Sequence, residues 1–239
     1  MVSADFRILP TYAEKVGLIA AYIREQGNGR HIHILEAGCG RSWPFRALGV
    51  DYTLTGIDLD ADALEHRRSA KGDLDEMIVA DLRTALLPNE RFDVIYSDYV
   101  LEHIKGVETV LEKFADWLGA GGVLIISVPD ANSVSGFLTR FTPHWFHILV
   151  YRYVLGNRAA GTPGHGPYRT YYERAITVEG MLRFAEEKGF DVREVCGLKN
   201  LTTIKFGPLF MLLQMISFGT IRADYADLVF VFRKPAGIP

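Results

Sequence analysis

IHILEAGCG at residues 32–40, continued by RSWPFRALGVDYTLTGID to Asp58, is the stretch from which the rest of the chain is read. An apolar run that ends on Gly38 and Gly40 can turn sharply and bring backbone amides close to a ligand, because glycine tolerates approaches that a Cβ blocks. A second apolar run closes on Asp58, where doubly wound folds place a carboxylate that accepts from ribose hydroxyls. The spacing suits an adenosine-bearing cofactor; a tight strand-to-helix turn with no ligand is the plainer alternative. A dinucleotide fingerprint needs a further glycine at position 43, and Trp43 followed by Pro44 stands there instead, which argues against a pyrophosphate.

The 239 residues are 49% apolar, enough for the core of one α/β domain spanning 1–239. A net charge of -3 offers no general attraction to nucleic acid. Cys39 and Cys196 cannot make a disulfide framework, and no secretory leader pattern opens the chain, so a cytoplasmic protein is expected. The longest apolar stretch, Pro208 to Phe218, is well short of the roughly 20 residues that cross a bilayer.

Outward from the opening stretch, elements alternate. A helix is expected over Thr11 to Gln26, with Tyr12, Val16, Ile19 and Ile23 on one face. Strands follow at His31 to Ala37 and Tyr52 to Asp58, separated by a short helical turn near Phe45. Then come a helix at Ala61 to Ser69, strands at Met77 to Ala80 and Phe92 to Ser97, and a helix with Val107, Val110, Leu111, Phe114 and Leu118 inward. Gly119 to Gly122 ends that helix, and Val123 to Val128 reads as a central strand buried on both faces. After a long gap, a helix at Thr177 to Lys188 and strands at Phe190 to Val195 and Leu228 to Phe232 complete a mostly parallel α/β sheet.

Glu36-Ala37-Gly38-Cys39-Gly40, with VADL at 79–82, FDVIYSDYVLEHI at 92–104 and WLGAGGVLIISVP at 117–129, resembles the ordered motifs of the class I S-adenosylmethionine-dependent methyltransferases. The resemblance spans about Ile32 to Pro129 and departs at Ser42, where a third glycine is common in that family. It implies a Rossmann-like sheet of seven strands in the order 3-2-1-4-5-7-6, the seventh antiparallel, flanked by helices. It implies S-adenosylmethionine as cofactor, with S-adenosylhomocysteine as product. Glu36 would orient the loop and Gly38 and Gly40 admit the backbone. Asp58, with Leu59 beside it, would hold the ribose hydroxyls. Asp81 would accept from the adenine amino group and the Leu82 amide would donate to the ring. The backbone around Ser97 and Asp98 would face the methionine part.

Residues 131–175 hold Phe137, Phe141, Trp145, Phe146, Tyr151, Tyr153, Tyr168, Tyr171 and Tyr172, and are expected to form an aromatic cap inserted after the fifth strand. Arg140, Arg152, Arg158, Arg169 and Arg174 stand in it against Glu173 alone, suited to an anionic substrate group or to a solvated basic face. Residues 199–223 form a second, apolar insertion with Phe206, Phe210, Met211, Met215 and Phe218. It reads as core or a dimer seam, with contact at a membrane surface the less favoured alternative. His103 is the best-placed general base, since its ordinary pKa of about 6.5 suits proton removal, with a structural histidine bonded to the loop as the alternative. His144, His147 and His165 are further candidates, and Tyr171 or Tyr172 can orient an acceptor; His144 and Tyr172 join His103 as catalytic candidates. No metal set is evident, because His144 and His147 lack further ligands nearby.

The expected activity is methyl transfer to a small molecule, with O-methylation of a hydroxyl or carboxyl group favoured on an apolar or ring-bearing, anionic metabolite. N- or C-methylation of a lipid-like or natural-product substrate is one alternative, and a non-catalytic cofactor-binding partner another. A nicotinamide oxidoreductase is a third.

Overall fold

The computed structural model describes residues 6–45, 47–154, 156–162, 166, 168–199, 203–204, 207–217 and 222–236. Its strands are β1 (Arg7–Leu9), β2 (Ile32–Ala37), β3 (Tyr52–Asp58), β4 (Glu76–Val79), β5 (Phe92–Asp98), β6 (Leu118–Pro129), β7 (Asp191–Leu198) and β8 (Asp227–Arg233). They form one 8-stranded sheet in the order β1-β7-β8-β6-β5-β2-β3-β4. The expected seven strands and their order are corrected accordingly. The extra strand, β1, pairs parallel with β7 at the sheet edge; three residues are too few to show a hydrophobic period. With β1 set aside, neighbours read β4-β3-β2-β5-β6-β8-β7, and β8 runs antiparallel to both β6 and β7.

β6 is longer than its apolar run predicts. The glycines that end the preceding helix continue as strand, with Gly121 at φ +75° donating its N–H to the carbonyls of Lys234 and Pro235 at 3.0 and 3.2 Å. A bulge between the Phe92–Leu118 and Val94–Val123 pairs absorbs the irregularity. The helical turn expected near Phe45 is replaced by bends. Trp43 and Phe45 turn inward, 4.9 Å apart edge to face, and pack on Tyr96 beneath the sheet.

One face of the sheet is covered by α1 (Tyr12–Gln26) and α2 (Ala61–His66), the other by α3 (Glu108–Trp117) and α6 (Val178–Glu187). Thr11 and Thr177 cap α1 and α6, each hydroxyl accepting from the backbone N–H three residues on. The helix expected to reach Ser69 stops at His66 and continues as a π-turn, Arg67–Lys71, closed by Gly72 at φ +61°. That wider turn carries Arg67 into the interior, where it is fully buried.

Between β6 and α6 lie α4 (Val134–Phe141), α5 (His144–Leu149) and a π-turn, Val150–Val154. This segment is pinned at its end: the Tyr171 N–H donates to the Glu102 carbonyl at 2.6 Å, and the Glu173 carboxylate accepts from the Gly106 and Val107 amides at 2.7 and 3.0 Å. α7 (Gly207–Ile216) lies between β7 and β8 and packs Phe210 against Val134 and Ala223. Among the described residues no helix is long and apolar enough to cross a membrane.

Candidate active site

The carboxyl ends of β2, β3, β4 and β5 lie side by side, and the loop Gly38-Cys39-Gly40 crosses the first two. Gly38 and Cys39 donate to the Ile57 carbonyl at 2.8 and 3.2 Å, and the Gly40 N–H donates to Asp58 Oδ2 at 2.8 Å. Asp58 Oδ1 accepts from the Asp60 amide at 2.9 Å. Each Asp58 oxygen keeps acceptor capacity for one more donor. Gly38 sits at φ +73° with the Val100 side chain 2.3 Å from where a Cβ would stand, so only glycine fits. Gly40, at φ +49°, differs: a Cβ there would enter open space, which is the cradle. Leu59, beside it, is 71% exposed and presents an uncovered apolar surface.

Glu36 acts on this loop at one remove. Its carboxylate pairs with the Arg67 guanidinium at 2.9 Å, and Arg67 also donates to Asp73 at 2.7 Å and to the Cys39 carbonyl at 2.9 Å. The loop is thus held from inside by a buried cation between two carboxylates. Burial pushes the Glu36 carboxyl up to about 8 while Arg67 pulls it down. Burial likewise raises the Cys39 thiol to about 12, so it is no nucleophile.

Asp81 follows β4 and is bonded to Arg83, whose Nε lies 3.0 and 3.1 Å from its two oxygens. That guanidinium holds the Asp81 carboxyl below the ordinary range, and a ligand amine there shares the carboxylate with Arg83. Leu82 is buried, as is the Ser97 side chain at the tip of β5. Asp98 pairs with Lys15, which is completely buried, its ammonium 4.5 Å from the Tyr99 ring centroid and 5.1 Å from that of Tyr12. Open cradle, acceptor-only carboxylates, bare leucine and paired opposite charges together fit a nucleoside bearing an amino-acid tail.

Next to this site, a cavity of about 1020 Å³ lies between the loop after β5 and the α4–α5 segment. His103, His144 and Tyr172, separate in the sequence, all line it, together with Tyr99, Glu102, Asp227, Arg140 and Arg169. His103 Nδ1 is 2.9 Å from the Arg169 carbonyl. A carbonyl only accepts, so Nδ1 carries the proton and Nε2 keeps a free lone pair. Burial lowers the His103 pKa, and the bond to the Arg169 carbonyl opposes that. Nε2 lies 3.7 Å from Glu102 Oε1.

Glu102 is 3% exposed, and among the described residues its Oε2 has no hydrogen-bond partner. Burial raises its carboxyl to about 8, with the charges of Asp227 and Asp98 adding and Lys15 opposing. Asp227 is raised to about 6, again by burial, and accepts from the Tyr99 hydroxyl at 2.9 Å. Tyr99 takes φ 56°, a conformation unusual for an aromatic residue.

His147 also lines this cavity, while the remaining candidates are bonded locally or fall elsewhere. His147 Nε2 lies 3.1 Å from the Thr142 carbonyl, a local bond, and Arg152 donates to the Ala160 carbonyl at 2.8 Å. Arg158 and Arg174 are exposed and do not line the cavity. His165, Phe206 and Phe218 lie outside the described residues. Among the described residues, no three His, Cys, Asp or Glu side chains cluster as a metal set.

Sequence reasoning assigned no role to Lys15, Arg67, Glu102 or Asp227. Lys15 left a signal, since it stands four residues before Ile19 and eight before Ile23 on the buried stripe of α1, where a lysine is out of place.

A family profile described as a methyltransferase domain matches residues 35–126. The ubiquinone biosynthesis O-methyltransferase of Glaesserella parasuis is 26% identical over 187 residues, covering 74% of this chain and 73% of that protein. The phosphoethanolamine N-methyltransferase of Triticum aestivum is 36% identical over 100 residues, which cover 39% of this chain but only 20% of that protein. The fold matches the crystal structure of a putative methyltransferase from Bacillus halodurans with a TM-score of 0.59 at 18% identity, over 94% of this chain and 99% of that one. It also matches phosphoethanolamine N-methyltransferase 2 of Haemonchus contortus in complex with S-adenosyl-L-methionine, at a TM-score of 0.56 and 17% identity, over 92% of this chain and 52% of that one.

Proposed function

The chain belongs to the class I S-adenosylmethionine-dependent methyltransferases, and from that premise we propose that it methylates a hydroxyl or carboxyl oxygen of a ring-bearing small molecule. The anionic group of that acceptor is held by Arg140 and Arg169. One observation carries the reading: His103, with an unprotonated Nε2, lines the same cavity as two arginines and several aromatic rings, beside the end of β5. On this reading the chain is one catalytic unit, capped by residues 131–175 and carrying an apolar insertion at 199–223.

S-adenosylmethionine supplies a methyl group already activated on a sulfonium. Asp58 accepts from the ribose hydroxyls and Leu59 covers the nucleoside. Asp81 takes the adenine amino group and the Leu82 amide donates to the ring. Gly38 and Gly40 admit the cofactor, and Glu36, through Arg67, fixes the loop that carries them. The backbone at Ser97 and Asp98 lines the amino-acid end, whose opposite charges match Lys15 and Asp98.

On the acceptor side, Tyr172 and His144 orient the hydroxyl while α4 and α5 exclude water. His103 Nε2 accepts the acceptor's proton as its oxygen attacks. The imidazolium so formed lies 3.7 Å from Glu102 Oε1, whose carboxyl ionises more readily beside a positive charge.

A second reading is N-methylation. Glu102 and Asp227 in the cavity wall suit an amine, and similarity to the wheat phosphoethanolamine N-methyltransferase supports it. Incubation with methyl-labelled cofactor and a panel of phenols, carboxylic acids and amines separates the two. The expected result is labelled ether or ester from anionic ring compounds, with Arg140→Gln raising their KM by roughly 10- to 100-fold and leaving neutral acceptors unchanged. Labelled amines, with oxygen acceptors inert, would establish the second reading in its place.

A further inference from the structure

We infer that the outer face of α4, α5 and α7 seats the protein on the headgroup surface of an anionic lipid bilayer. Large apolar side chains stand out to solvent there: Phe141 is 66% exposed, Trp145 61%, Met211 64%, Met215 75% and Ile216 65%. They follow from the packing. α7 turns Phe210 inward against Val134 of α4 with Leu213 packed beside it, which leaves Leu209, Met211, Leu212, Met215 and Ile216 of an almost wholly apolar helix exposed. Large apolar side chains left exposed together, which the protein's own packing does not cover, mark an interaction site.

The charge of the segment that carries α4 and α5 selects the occupant. Residues 131–172 contain four arginines, Arg140, Arg152, Arg158 and Arg169, and no aspartate, glutamate or lysine; α7 carries no charge at all. The remaining chain then holds 22 basic against 29 acidic side chains, so the segment that carries α4 and α5 is cationic and aromatic while the rest of the chain is acidic. Anionic headgroups complement such a face, attracting the arginines and accepting tryptophan and methionine at the acyl boundary. A second copy of the chain fits it worse, because a two-fold contact sets uncompensated arginines against arginines. The acidic remainder is repelled from the same bilayer, which fixes one orientation, with the cap downward. The inference does not depend on which atom is methylated.

Trp145 reports on it directly. Trp43 and Trp117 are buried, so among the three tryptophans Trp145 alone meets solvent. The full chain is mixed with phosphatidylglycerol–phosphatidylcholine vesicles and with pure phosphatidylcholine vesicles. We expect co-sedimentation with the first only, a blue shift of the tryptophan emission, and its quenching by lipids brominated near the headgroup end of the acyl chain. Salt at about 1 M, where the Debye length is about 3 Å, releases the protein. Arg158→Glu, at an exposed position outside the cavity, weakens partitioning about 25-fold, taking about fivefold per charge removed. Trp145→Phe loses the optical signal and keeps most of the sedimentation. Folding of each variant is checked by circular dichroism. Failure of the folded wild-type chain to sediment with anionic vesicles overturns the inference. So does a stable dimer in sedimentation velocity that Met215→Asp dissolves, since the face would then belong to a second copy.

Discussion

Glu102→Gln should change how stability depends on pH while barely disturbing the packing. The Glu102 carboxyl is raised from an ordinary 4.5 to about 8 by burial, so the folded state holds a proton that the unfolded chain has released. Its contribution to stability is therefore complete below about pH 4.5 and is lost as pH rises toward 8. Inside that window the slope is about 1.4 kcal/mol per pH unit for one group. From about pH 5.5 to about pH 7.5 the wild-type chain loses roughly 3 kcal/mol through Glu102, or roughly 6–12 °C in Tm at this chain length. Glu36 loses stability over the same range for the same reason, so the difference between variant and wild type is the quantity to read. Glutamine has nothing to ionise and keeps that part. Urea denaturation at both pH values, on both proteins, gives the numbers. Parallel losses in wild type and variant would show that Glu102 is not held protonated, and the electrostatic description of the cavity wall would fail with it.

Further outcomes follow from the same geometry. Gly40→Ala forces a side chain into φ +49° at a cost of about 1–2 kcal/mol and places a methyl in the open cradle; calorimetry should show S-adenosylhomocysteine binding severely weakened with the circular dichroism unchanged, and undiminished binding would mean the cofactor does not lie there. Arg67→Met leaves the buried Glu36 carboxyl and the half-buried Asp73 carboxylate without their guanidinium partner and should lower stability by about 3–5 kcal/mol in a denaturant titration, with Glu36→Gln added to it restoring part of the loss; a Tm equal to wild type would contradict the internal tether. His103→Ala should lower kcat by about 100- to 10,000-fold for an oxygen acceptor. In wild type, the acid limb of the pH–rate profile should fall below the ordinary histidine value, because burial disfavours the imidazolium; an unchanged kcat removes His103 from the chemistry.

The candidate cofactor half of the site is legible in the sequence because its parts are local. A glycine turn, a carboxylate at the end of the next strand and another after the strand beyond it are each readable from neighbours in the chain, and strand pairing then sets them side by side. Glu36 was read as a loop-orienting residue, but the means was hidden: Arg67 lies in what looks like a plain surface helix, and only the π-turn brings it inside. The acceptor half was less legible. Across both halves, Lys15, Asp227 and the stretch holding Asp98 and Glu102 come from three separated parts of the chain and meet through sheet topology, which no local period encodes. His103, His144 and Tyr172 stand out in the sequence by residue type alone, and the cavity gives them a common location. His147 and Arg152 stand out the same way, yet each makes a short local bond to a backbone carbonyl that sequence alone does not reveal.

The edge strand β1 makes a clasp between an early and a late segment of the chain. Arg7–Leu9 can settle only once β7, nearly the whole sequence later, has taken its place, and the Lys199 N–H then locks onto the Leu9 carbonyl at 3.0 Å. α1 hangs from that clasp, and Lys15 with it. The Lys15–Asp98 pair therefore depends on a contact between segments far apart in the chain. Trimming the residues before Thr11 should leave the central sheet standing while loosening a charge that sits far from the cut along the fold.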